Sequence, residues 1–101
     1  MYKANPLPTF RRDVKHLVKK HYPIEDLKHV VDLLLEGTHQ DELRLKFDDH
    51  QLVSNSAWKG HRELHINKSY NNNWLLIYRI DKEDLVLELV RSGSHKDLLG
   101  K

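Results

Sequence analysis

Among the chain's eight histidines, His50, His65 and His95 are the three that could converge on an exposed sheet face. Imidazole takes and gives a proton near neutrality without help, so such a set points to general acid–base work. In the run Arg62-Glu63-Leu64-His65-Ile66, alternation places Arg62, Leu64 and Ile66 on one face and His61, Glu63 and His65 on the other. With the leucine and isoleucine turned to a core, an acid and a base project from the open face. Three histidines also suit a catalytic zinc with an open position, a reading ranked below metal-free chemistry. His61 and His65 cannot share one ion, because on a strand they lie about 13 Å apart at 3.3 Å per residue. Arg62, Arg79 and Arg91 fit anion clamps, since guanidinium matches phosphate geometry, and Lys59 and Lys68 are weaker candidates. The bland alternative for all of these is a set of solvated imidazoles and strand charges. His16, His21, His29 and His39 fall on expected helix or loop surface and receive no chemistry. Trp58 and Trp74 read as packing residues. Phosphate-binding glycine loops, a G-x-S-x-G elbow and H-E-x-x-H are all missing.

The elements that must position these groups follow from periodicity. Phe10, Val14, Leu17 and Val18 recur at helical spacing, with Thr9 as the expected N-cap. His21-Tyr22-Pro23 breaks that helix. A second helix begins near Ile24, carries Leu27, Val30, Val31, Leu34 and Leu35 on one face, and stops at Gly37. The two helices read as an antiparallel hairpin. From Thr38 to Ala57 the pattern loosens and an irregular stretch is expected. Strands are predicted over Arg62–Ile66, Trp74–Ile80 and Leu85–Arg91, joined by the turn-rich Asn67–Asn73 and the tight Asp81–Asp84. Tyr2–Asn5 is expected to add an edge strand. The result is an α+β domain over residues 1–101, a helical hairpin packed on a small antiparallel sheet.

A chain of 101 residues has the size of one domain and supports one core. Cysteine is absent, which excludes a disulfide framework, a thiolate zinc site and a cysteine nucleophile. Hydrophobic residues at 39% and charged residues at 32% fit a globular protein. No apolar run is long enough for a membrane span, and the N-terminus lacks a secretory pattern, so the cytoplasm is the expected address. A net charge of +2 is too small to argue for nucleic acid by itself.

Asp49-His50-x-Leu52, Trp58-Lys59-Gly60-x-Arg62-Glu63-x-His65-Ile66, Trp74-Leu75-Leu76-Ile77-Tyr78 and Arg91-Ser92-Gly93-Ser94-His95, in this order, resemble the YafQ branch of the RelE toxins. With the helices ahead of them, the resemblance covers nearly the whole chain. It implies a RelE-like fold and a ribosome-dependent messenger-RNA endoribonuclease of a type II toxin-antitoxin system. The implied partners are a cognate antitoxin, the ribosome with its message, and operator DNA through the antitoxin complex. No cofactor or metal is implied. His50, Glu63, His65 and His95 match the catalytic positions of the family. In metal-free cleavage a base removes the ribose 2′-hydroxyl proton and an acid protonates the departing 5′-oxygen. The expected roles are Glu63 or His65 on the base side, His95 as acid or phosphate contact and His50 as partner. Lys59, Arg62 and Arg91 would contact RNA or its phosphates. The chain departs from the branch pattern at Glu63, often Asp, at Asn73, where the pattern has Asp, and at Leu99, where it has an aromatic residue. A toxin-like module that binds ribosome or antitoxin without cutting is the competing reading.

Overall fold

A computed structural model describes residues 1–52, 58–67 and 74–100. Strand β1 (Lys3–Pro6) leads into helix α1 (Pro8–Lys19), then α2 (Ile24–Glu36) and α3 (Gln40–Phe47). The short β2 (His50–Gln51), β3 (Arg62–Asn67), β4 (Trp74–Asp81), β5 (Val86–Ser94) and a closing α4 (His95–Leu99) follow. The sheet order is β1-β5-β4-β3-β2.

Strands β2 to β5 pair antiparallel, as their short links require. The edge strand β1 instead pairs parallel with β5, Lys3 opposite Val86 and Pro6 opposite Leu89. Pro6 is tolerated there because an edge strand has one side without a ladder to feed. Helix α1 starts at once after it. Pro8 takes the first helical position, where its missing N–H costs nothing. Thr9 is therefore inside the helix instead of capping it, and its hydroxyl donates to the Val90 carbonyl at 2.8 Å. Helix α2 ends as expected at Gly37, left-handed at φ 75°. A Cβ at Gly37 would also meet the Tyr2 ring at 3.0 Å.

Helix α3 occupies part of the stretch expected to be irregular. Leu43 is its one buried residue, Leu45 is exposed, and Lys46 lies 3.8 Å from Glu42 along the outer face. With so narrow an apolar stripe, its stability comes from docking on β3 and α2 rather than from amphipathic patterning.

One core lies between the helices and the sheet, built from Phe10 and Leu17 of α1, Val30 and Leu34 of α2, and Leu64, Leu76 and Tyr78 of the sheet. Trp74 is buried in it, edge-on to Tyr22 at 5.0 Å, and donates to the Ser92 hydroxyl at 3.1 Å. The opposite face carries a second, smaller cluster in which Leu98 of α4 covers Leu75 and Ile77, with Leu52 beside them. Trp58 packs against that cluster. Lys68, Asn73 and most of the link between β3 and β4 lie outside the described residues.

Candidate active site

The β2–β3 ladder sets His50 directly opposite Glu63. Their side chains meet on that face, His50 Nε2 lying 2.9 Å from Glu63 Oε1. Glu63 is buried at 4% exposure, so the face expected to be open is partly roofed. Its other oxygen, Oε2, has no hydrogen-bond partner among the described residues. His65, two residues along the same strand face, presents Nε2 to Asp48 Oδ2 at 3.5 Å, while its Nδ1 is buried and without a partner among the described residues.

His50 is held from both ends. Its Nδ1 lies 2.7 Å from the backbone carbonyl oxygen of Asp48. A carbonyl oxygen only accepts, so Nδ1 carries a proton and Nε2 is the nitrogen turned to Glu63. The 2.9 Å contact is an ion pair whenever the imidazole is protonated.

His95 opens α4 instead of lying in a loop. Ser94 caps that helix, its hydroxyl accepting from the Asp97 backbone N–H at 3.1 Å. His65, Leu75 and Gly93 form one row across β3, β4 and β5. Gly93 is roughly 10 Å from His65 at two strand spacings, and His95 lies two residues beyond that glycine. It is half-buried and shares the sheet face covered by Leu98. The structure therefore joins His50 to Glu63 by direct contact, links His65 to His50 only through Asp48, and places His95 across a gap. Among the described residues no group of three or more histidine, aspartate or glutamate side chains is disposed to hold a metal ion.

The cations distribute differently. Arg62 lies on the helix-side face, where its Nε donates to Asp49 Oδ1 at 3.3 Å, and the Tyr78 hydroxyl donates to the same oxygen at 2.7 Å. The structure does not bring Arg62 to the histidines. Burial works to lower the Arg62 pKa, but Asp49 and Tyr78 outweigh it and raise the value. Burial, then Asp49, pushes the Tyr78 phenol well up, with Arg62 opposing. Arg91 grips Asp13 of α1 through two bonds, Nε to Oδ2 at 2.7 Å and Nη2 to Oδ1 at 3.0 Å, and those bonds raise its pKa. Lys59 is exposed in the turn after Trp58. Asp13, Asp48 and Asp49 thus hold site-forming residues, although nothing in their spacing singled them out. The one legible signal was the Asp48-Asp49-His50 run itself.

Residues 2–100 match the family described as the bacterial toxin of type II toxin-antitoxin systems, YafQ. This chain belongs to the YafQ toxin family. An mRNA interferase toxin YafQ from Escherichia coli BL21-DE3 is 35% identical over 91 residues, covering 90% of this chain and 88% of the relative. The toxin in the E. coli DinJ–YafQ complex matches with a TM-score of 0.81 at 32% identity, covering 99% and 100% of the two chains. A metal-bound toxin from Helicobacter pylori matches equally well in shape, at TM-score 0.81 and 34% identity over 97% and 99% of the chains. The α+β, RelE-like architecture expected from the sequence is thus the architecture of the YafQ toxins. No helix among the described residues is long and apolar enough to cross a membrane.

Proposed function

We propose that this YafQ-family toxin is an endoribonuclease that cuts messenger RNA on the ribosome by metal-free acid–base transfer through the ribose 2′-hydroxyl. The observation that carries the reading is the 2.9 Å contact between Glu63 and His50, with His65 beside it on the strand that carries Glu63. Glu63 is the base, His50 is the partner that stores the proton, and His65 beside them presents its Nε2–H to a substrate oxygen. Loss of the 2′-hydroxyl proton lets that oxygen attack the adjacent phosphorus. The bond to the 5′-oxygen then breaks, leaving a 2′,3′-cyclic phosphate. His95, across the gap, supplies the proton to the departing oxygen. Arg91, close to His95 in sequence, is the cation suited to the phosphate once its guanidinium is shared between Asp13 and the substrate.

A net charge of +2 gives little grip on free RNA, which favours a ribosome that positions the message. A cognate antitoxin is the expected inhibitor, by likeness to the DinJ–YafQ complex, and operator DNA is reached through that pair. The non-cleaving reading gains support from Asp13, which already neutralises Arg91. Incubation with programmed ribosomes and with naked message, followed by mapping of RNA ends, tests both readings. Cuts on ribosome-bound message alone, ending in cyclic phosphate, are expected. Equal cutting of naked message removes the ribosome requirement, and ribosome binding without cuts favours the non-cleaving module.

A further inference from the structure

We propose that Asp48 is a positioning residue that selects the protonated nitrogen of both site histidines, a role that rests on the cleavage reading above. Asp48 ends α3 in the left-handed region at φ 54° and ψ 41°. A short polar side chain tolerates that conformation better than most residues do. The next residue completes the helix end, Asp49 N–H donating to the Leu43 carbonyl at 3.1 Å. This turn aims two different groups of one residue at two different imidazoles. The Asp48 carbonyl oxygen accepts from His50 Nδ1 at 2.7 Å, and its carboxylate faces His65 Nε2 at 3.5 Å.

The consequence for His50 is that Nε2 is its working nitrogen, turned to Glu63. For His65 the consequence is sharper. Its Nδ1 is buried with no donor or acceptor among the described residues, and a buried N–H without an acceptor is costly. The neutral ring therefore keeps its proton on Nε2, against the Asp48 carboxylate. The side chain of Asp48 is 60% exposed while that of His65 is 16% exposed, so the carboxylate can swing away when a substrate phosphate or hydroxyl reaches Nε2. Asp48 holds the ring in register until then.

Two variants separate these functions. Asp48→Gly removes the carboxylate but keeps the backbone carbonyl and suits the left-handed turn. Asp48→Asn keeps the turn and an oxygen that accepts from Nε2–H. Imidazole nitrogen shifts read by NMR on the resting protein report the tautomer directly, and single-turnover cleavage on ribosomes reports its use. In Asp48→Gly the His65 nitrogen shifts should move while those of His50 stay. Cleavage should fall roughly 10- to 100-fold, as loss of alignment at a reacting group does. Asp48→Asn should restore most of both. Unmoved His65 shifts in Asp48→Gly overturn the proposal. So does a moved shift with an unchanged rate, or an Asn variant no better than Gly. An inactive wild-type protein instead counts against the cleavage reading, and the shifts then decide the Asp48 contact alone.

Discussion

Glu63 and His50 face each other across the β2–β3 ladder with carboxylate and imidazole 2.9 Å apart, and the carboxylate is almost wholly removed from solvent. An unpaired charge there would be costly, and His50 is the partner that faces it. Glu63→Gln keeps the shape and hydrogen-bonding capacity but cannot take up the proton. It should lower single-turnover cleavage by roughly 10² to 10⁴-fold, the usual contribution of a positioned acid–base group. A folded Gln variant with wild-type single-turnover cleavage would take the pair out of the chemistry.

His95→Gln tests the acid side. His95 is half-buried at the start of a five-residue helix whose buried anchor is Leu98, so the substitution should leave folding and antitoxin binding intact. A loss of roughly 10² to 10⁴-fold in the single-turnover rate is expected. His29→Gln, on the exposed side of α2, should be close to silent. The readout is cleavage on saturated ribosomes, and an unchanged rate for His95→Gln sinks its assignment as acid.

Chelation tests the metal alternative directly. Prolonged EDTA treatment should leave cleavage unaltered, since the proposed mechanism draws both proton transfers from Glu63 and the histidines. Activity that disappears on chelation and returns with stoichiometric zinc would instead favour a metal held by the histidines.

Alkaline unfolding tests the buried network of Asp49, Arg62 and Tyr78. Folding raises the Tyr78 pKa through burial and Asp49, so the folded chain keeps the phenolic proton where the unfolded chain loses it. That contribution is full below about pH 10, the ordinary tyrosine value, and is lost as pH climbs above it. Urea unfolding between pH 8 and 11 should show a steeper alkaline decline for wild type than for Tyr78→Phe. Parallel declines would contradict this. At neutral pH, Asp49→Ala should cost roughly 1 to 3 kcal/mol, because it strands a buried tyrosine hydroxyl.

The strands and the two long helices were readable because their apolar residues recur with a clear period. Glu63 and His65 were assigned to one face by alternation alone, and Leu64 and Ile66 do point into the helix-side core. Alternation likewise put Arg62 on the core face, and the structure finds it there with Asp49. Helix α3 was hidden because Leu43 is the single residue it buries, and no periodicity can be drawn from one point. The reach of His50 to Glu63 depends on register across a long connection, which local pattern does not encode. Asp48 and Asp13 were hidden for a related reason. Each holds its partner through a turn or a helix docking far along the chain, and an aspartate looks alike in either setting.

The parallel pairing of Lys3 with Val86 ties almost the first residues to almost the last. During synthesis β1 and α1 emerge early and wait for β5, which also brings the residues that Thr9 and Asp13 grasp. Closing so large a loop is entropically slow and cannot be rewarded in part. A nascent chain therefore lacks its completed sheet until β5 has been made, and His95 comes later still. The acid side of the site therefore takes shape only with the element that closes the sheet against β1.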